Sequence, residues 1–146
     1  MDLLKLYSLG SLVLAPLASA HFTVTIPPPL GTNLDNEATS PCGGYSPSNS
    51  DTLANFHVGG DAVAFDTLHA QSFFAFRGIL GDSLSTANWT SLIPTVEEFG
   101  LGAFCEPTVS VPEAWAGSSG LLQVIQDSED GVHYAVGAGS QTCEET

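Results

Sequence analysis

The stretch Ser72-Phe73-Phe74-Ala75-Phe76-Arg77-Gly78 decides the fold. It places aromatic side chains on both faces of an extended segment, which is typical of a β-strand in a hydrophobic core. Residues 61–66, just before it, also have the short apolar pattern of a strand. Residues 67–70 are therefore predicted to form a turn between two strands, and this turn carries His69.

Further segments with strand character surround this pair, and the segments between them are rich in Gly, Pro, Asn and Ser. The additional strands are predicted at residues 22–26, within 100–111, at 121–126 and at 132–136, whereas residues 30–55 and 81–95 are predicted loops. No long segment has the periodicity of a helix. The sequence therefore predicts one all-β domain, an antiparallel β-sandwich spanning residues 21–146.

The first 20 residues have the pattern of a secretory signal peptide. Lys5 provides a weak positive charge, an apolar stretch follows, and Ala18-Ser19-Ala20 is a typical cleavage site. The apolar stretch is too short for a membrane span. Cleavage would make His21 the first residue, so that its α-amine and its imidazole could bind one metal ion together. The alternative is a chance histidine after the cleavage site.

The net charge of the chain limits the classes of partner that it can bind. The chain has 16 acidic and 2 basic residues, which gives a formal net charge of −14. Such a surface repels nucleic acid and anionic lipid and attracts cations. The acidic residues near Asp130 are interpreted first as a solvated turn, and a glycosidase carboxylate pair finds no support because nothing places two carboxylates across a cleft.

The cysteines and one glycosylation motif agree with secretion. Cys42, Cys105 and Cys143 predict one disulfide and one remaining thiol, and each of the three pairings stays open. No Cys-x-x-Cys motif indicates a zinc ribbon or a redox site. Asn88-Trp89-Thr90 is an acceptor motif for N-glycosylation at Asn88.

The histidines are the candidates for chemistry. Two or more imidazoles with a terminal amine suit copper(II), which favours nitrogen ligands. His69 is a candidate ligand in a turn between strands, with a surface histidine as the alternative. His57 is interpreted as a residue of a glycine-rich loop, and His133 as a partly buried structural residue.

Several motifs, taken in order, resemble the fungal copper-acquisition-factor family, whose members are secreted proteins similar to lytic polysaccharide monooxygenases. The resemblance covers about residues 21–134 and rests on a set of short motifs. These are His21-Phe22-Thr23, Pro27-Pro28-Pro29 with Gly31, Pro41-Cys42-Gly43-Gly44, Gly59-Gly60, Leu68-His69-Ala70, Phe104-Cys105 with Pro107, and Asp130-Gly131 with Tyr134.

The resemblance implies an immunoglobulin-like or fibronectin-like sandwich and a copper site. In that site, His21 and His69 form a histidine brace, and an aspartate is an added ligand. Relatives carry that aspartate in a Tyr-x-Cys-Ala-Asp motif, whereas here Tyr134 is followed by Ala135 and Val136. Asp130 is the nearest aspartate and is taken as the third ligand. Relatives often continue into a GPI signal, which is absent here.

The expected function is copper(II) binding outside the cell or at its surface, in copper acquisition or homeostasis. The expected partners are the copper ion and cell-wall or membrane components of copper uptake. The alternative is a lytic polysaccharide monooxygenase, an enzyme that needs an open copper position and a surface that binds glycan. Few aromatic residues are available for such a surface. A structural wall protein without metal is the third class.

Overall fold

A computed structural model describes residues 21–48, 51–82, 84 and 89–142. The predicted signal peptide (1–20), the predicted glycosylation site Asn88 and the cysteine Cys143 lie outside the described residues. Among the described residues, no helix is long and apolar enough to cross a membrane.

The described residues form nine β-strands in two sheets. In chain order they are β1 (Phe22–Ile26), β2 (Ala54–His57), β3 (Asp61–Thr67), β4 (Gln71–Leu80), β5 (Thr90–Ser91), β6 (Val96–Phe99), β7 (Gly102–Val109), β8 (Ser119–Ser128) and β9 (Gly131–Thr142). The smaller sheet has the order β1-β3-β7, and the larger has the order β2-β9-β8-β4-β5, with β6 also paired to β4. The β3–β4 turn thus carries the chain from one sheet to the other.

The core lies between the two sheets. Because side chains alternate along a strand, each sheet turns one apolar face inward. The smaller sheet contributes Phe22, Val24, Val63, Phe65 and Val109, and the larger contributes Phe56, Phe74, Phe76, Leu122 and Val124. The rings of Phe65 and Phe74 meet across the two sheets, with centroids 4.2 Å apart. The predicted β-sandwich is confirmed.

A long segment after β1 covers the outer face of the larger sheet. Its Cys42 packs in a second apolar cluster with Ile79, Leu121 and Val136. The same segment binds the backbone of β9, because Tyr134 N–H donates to the Glu37 carbonyl at 2.8 Å. This contact fixes Glu37 beside β9.

Three strands were not predicted, and one of them, β5 (Thr90–Ser91), lies within the predicted loop 81–95. Ala54–His57 forms β2, so the interpretation of His57 as a loop residue was wrong. This strand pairs parallel to β9, which makes the larger sheet mixed rather than purely antiparallel. Val96–Phe99 forms β6, which pairs with the first half of β4.

The two described cysteines lie in different environments. Cys42 is buried, Cys105 is exposed on β7, and these two are not joined to each other by a disulfide. Burial raises the pKa of the Cys42 thiol to about 11. A disulfide that involves Cys143 stays a prediction.

Candidate metal centre

Four segments meet at one end of the sandwich and bring three histidines and two acids together. These segments are the start of β1, the β3–β4 turn, the β8–β9 hairpin and the segment that packs on β9. They carry His21, His69, Asp130, His133 and Glu37.

The pairing of β1 with β3 places His21 beside the turn of His69. Phe22 lies opposite Thr67 in the antiparallel register. One step further, Leu68 N–H donates to the His21 carbonyl at 3.1 Å, which extends the ladder beyond β1. His21, the residue before β1, therefore lies beside the β3–β4 turn that carries His69.

A buried polar network anchors the turn. The Gln126 side chain, fully buried on β8, donates to the hydroxyls of Thr67 at 2.7 Å and Ser72 at 2.9 Å. The Thr67 hydroxyl also accepts from the backbone N–H of His69 at 3.2 Å. Since buried polar groups are costly to leave unpaired, this network fixes the backbone of His69 relative to β8.

The β8–β9 hairpin places Asp130 against His69. Asp130 lies in the turn between Ser128 and Gly131, which pair at the hairpin end. Its Oδ1 lies 2.9 Å from His69 Nε2, and it also accepts from the Ser128 hydroxyl at 2.9 Å. The structure thus places Asp130 in contact with the candidate ligand His69.

His133 lies between the other two histidines. Its ring meets the His21 ring edge-on, with centroids 5.7 Å apart, and stacks near the His69 ring at 6.3 Å. Its Nδ1 is 4.0 Å from Asp130 Oδ1 and, among the described residues, has no hydrogen-bond partner. Burial lowers the pKa of His133, an effect that Asp130 opposes and the neighbouring histidines reinforce. A neutral imidazole is the form that can donate a lone pair to a metal.

Glu37 lies on the other side of His21. Its Oε2 is buried, 3.2 Å from His21 Nδ1. Burial raises the pKa of the Glu37 carboxyl to about 7, and a hydrogen bond from the backbone of Phe22 lowers it in part. A bound cation would favour the charged carboxylate.

Sequence patterns did not single out His133 or Glu37 as site residues. An Asp-x-x-His spacing across a predicted hairpin turn was a usable signal for His133, since both ends of such a turn share one edge. Glu37 offers no comparable signal, because only its contact with β9 brings it to the site.

His57 is held elsewhere. Its Nδ1 lies 2.8 Å from Asp61 Oδ2, and its backbone N–H donates to the same carboxylate. It belongs to a local ion pair next to β2 and is not a member of the cluster described above.

A cleft of about 430 Å³ adjoins the centre. Phe73 is the one Phe, Tyr or Trp among its lining residues, which also include His69 and the acids Asp127 and Glu129. The cleft is suited to a cation more than to a flat sugar ring, because it offers carboxylates and little aromatic surface.

The donor set fits a transition metal. Imidazole nitrogens suit copper, nickel and zinc, and a carboxylate can add to them. His69, Asp130 and His133 each present a ligand atom within 4.8 Å of the others. Three buried or half-buried imidazoles at one point are therefore better explained by a metal site than by packing alone.

Comparison with known proteins agrees with this chemistry. The family model for "Copper acquisition factor BIM1-like" matches residues 19–136, a range that contains every residue of the centre. The chain is 29% identical to the "Lytic polysaccharide monooxygenase-like protein X325" of Yarrowia lipolytica over 90% of its own length. It is 31% identical to an uncharacterised protein of Aspergillus fumigatus over 82% of its length.

The chain spans about half the length of these two relatives, 52% and 51% respectively. The family match covers most of the chain and every residue of the candidate metal centre. The protein belongs to the family of BIM1-like copper acquisition factors.

Proposed function

We propose that this protein binds copper(II) outside the cell or at its surface and serves copper acquisition or homeostasis. The ligands are the α-amine and imidazole of His21, the imidazole of His69 and the carboxylate of Asp130. Family membership connects the chain with copper. The observation that carries the proposal is the meeting of His21, His69 and Asp130 at one end of the sandwich.

The brace needs proteolytic processing. While a peptide bond precedes His21, its backbone nitrogen is an amide and is a poor ligand. After cleavage at Ala18-Ser19-Ala20, the same nitrogen becomes an amine that can bind metal in a chelate ring with the imidazole. The first strand then presents both donors from a fixed backbone, which lowers the entropic cost of binding.

The carboxylate distinguishes copper storage or transfer from oxidation. Lytic polysaccharide monooxygenases need an open position on copper for the oxidant. Asp130 Oδ1 lies 2.9 Å from His69 Nε2, so a copper ion held by His69 would have this carboxylate beside it and could take it as a further ligand in place of an oxidant. We therefore propose that the centre carries copper as cargo to cell-wall or membrane components of copper uptake.

The test compares two forms of the secreted chain. One begins at His21 with a free α-amine, and the other begins at His21 with that α-amine acetylated, because a chain that began Ala20-His21 would offer copper(II) a new chelate from the Ala20 amine, the intervening amide and the imidazole. We expect the first to bind one copper(II) ion at least about 100-fold more tightly than the second, because the chelate is lost. Mass spectrometry of the N-terminus and a copper titration against a competing chelator give the answer on the same sample. Equal affinities would exclude the brace.

A further inference from the structure

Three residues of the centre, His69, Asp130 and His133, have the composition of a metal site without His21. His69 comes from the β3–β4 turn, and Asp130 and His133 come from the β8–β9 hairpin. None of these three side chains needs the free α-amine of His21 in order to offer its ligand atom. Two imidazoles and one carboxylate are a ligand set that proteins use for zinc and related divalent ions.

The distances between the ligand atoms are close to those found around a bound metal ion. Ligand atoms that share one first-row metal, with bonds of about 2.0–2.2 Å, lie about 3–4 Å from one another. Here His69 Nε2 and Asp130 Oδ1 are 2.9 Å apart, and Asp130 Oδ1 and His133 Nδ1 are 4.0 Å apart. Each of the three residues offers one ligand atom within 4.8 Å of the ligand atoms of the other two, so only a small movement would close them around a metal.

His133 provides the independent observation. Its residue exposes 7% of its surface, and its Nδ1 has no hydrogen-bond partner among the described residues. An unpaired buried nitrogen is costly unless something else satisfies it. This nitrogen faces the same Asp130 oxygen that His69 faces, so a metal ion bound there would satisfy it.

The outer shell also supports a site. The Ser128 hydroxyl donates to Asp130 Oδ1 at 2.9 Å and limits the rotation of the carboxylate. The Gln126 network fixes the backbone of the turn that carries His69. In metal sites, hydrogen bonds of this kind to the ligand residues hold those residues in the orientation that binds the metal.

We propose that His69, Asp130 and His133 form a divalent transition-metal site that works without the α-amine of His21. His133 is the residue that this site adds to the proposed copper ligands. It allows the chain to bind a metal ion before or without N-terminal processing, with zinc(II) or cobalt(II) as ions that suit two nitrogens and one oxygen.

The experiment uses the chain that keeps Ala20 before His21 and runs to Thr146. Zinc(II) titration by calorimetry should show one site per chain, and cobalt(II) should give the visible absorption of a protein-bound ion. In this background His133→Gln should weaken zinc binding by at least about 10-fold. His57→Gln is the matched control, since His57 pairs with Asp61 away from the centre, and it should leave zinc affinity unchanged.

A second variant covers the case in which His133→Gln does not fold. Asp130→Asn changes a residue in an exposed hairpin turn, so the fold should persist while zinc affinity falls by a similar factor. Absence of a zinc site in the Ala20 form would overturn the proposal, as would zinc affinities that neither variant changes. These outcomes are independent of the brace, which is tested by copper(II) binding to the form that begins at His21.

Discussion

Two histidines, His57 and His69, can be compared as single residues because each lies at or near the end of a strand. His57 is the last residue of β2, and His69 follows β3 by two residues. His69 is buried and faces Asp130, which has come from the distant β8–β9 hairpin. His57 is half-buried and pairs with Asp61, four residues away. The first contact joins remote parts of the chain at one point, whereas the second is local and needs no metal to explain it.

The two histidines should therefore differ in the copper spectrum. In the form that begins at His21, His69→Ala removes a nitrogen ligand and should change the g and hyperfine values of copper(II) in the EPR spectrum. His57→Ala should leave the spectrum as it is in the unsubstituted protein. A changed spectrum for His57→Ala alone would show that the metal lies beside Asp61.

Glu37 should make the metal-free protein less stable as the pH rises. Burial raises the pKa of its carboxyl from the ordinary 4.5 to about 7 in the folded state. Between these values the folded chain binds more protons than the unfolded chain, so the free energy of unfolding falls as pH rises. Above the folded pKa the cost of the buried charge is fully present.

Glu37→Gln should remove this contribution. With a chelator present, its melting temperature should decrease less between about pH 5 and about pH 7 than that of the unsubstituted protein. Glu113→Gln, at an exposed position of the short helix Glu113–Trp115, is the control and should keep the original slope. Identical slopes for all three proteins would show that Glu37 does not titrate in this range.

At the scale of elements, the strands with strong apolar patterns were predictable and the others were not. Gln71–Leu80 and Ser119–Ser128 carry the Phe, Val, Leu and Ile residues that face the core, and both were found from sequence. Val96–Phe99 has two glutamates at its centre, and Ala54–His57 has one buried side chain, so neither shows an apolar period. Pairing with a neighbouring strand overrides the weak propensity in both cases.

The final strand continues well beyond the residues predicted to begin it. The sequence indicated that residues 132–136 start a strand, and β9 runs from Gly131 to Thr142. Its second half contains Gly137, Ala138 and Gly139, residues of low strand propensity. Their small size allows close packing, since a Cβ at Gly137 would lie 3.2 Å from Pro27. Composition alone predicts a loop here, and contact with the rest of the sandwich makes it a strand.

Gly43 tests how the covering segment is attached to β9. Its φ is +61°, and an added Cβ would lie 2.5 Å from the Tyr134 carbonyl oxygen. Gly43→Ala should therefore lower the free energy of unfolding by about 2–4 kcal/mol, from backbone strain together with displacement of the segment. Chemical denaturation provides the measurement.

Gly117→Ala is its control, because Gly117 has a φ of +75° with no atom near the added Cβ. It should cost only the strain, about 1 kcal/mol. Equal losses for the two variants would show that the segment moves away from β9 without cost.

The whole molecule combines a strong negative charge with a metal centre beside an acidic cleft. The net charge of −14 attracts metal cations to the surface and favours their capture. Only some residues of the candidate site could be named from the sequence. The resemblance named His21, His69 and Asp130 as candidate ligands, and they stay predictions, whereas the positions of His133 and Glu37 beside them required the three-dimensional path of β9.

The copper-loaded protein should not oxidise polysaccharides. Incubation with cellulose, chitin or xylan, a reductant and peroxide should release no oxidised oligosaccharides, because the proposed ligand Asp130 would compete with the oxidant for copper and Phe73 is the one Phe, Tyr or Trp in the lining of the cleft. Mass spectrometry of the soluble products is the measurement, made on protein whose copper content is verified. Oxidised products from the form that begins at His21 with a free α-amine, but not from the acetylated form, would assign the protein to the monooxygenases.

The residues of the centre come from both sheets, with His21 at the edge of the smaller sheet and His133 in the larger. A bound metal is therefore a cross-link between the two layers, and ligand binding and folding are thermodynamically linked. At a free copper concentration 100 times the dissociation constant, the folded state gains about 2.7 kcal/mol. Loaded molecules should resist proteases longer than empty ones, so that the metal supply itself would set how long each molecule persists outside the cell.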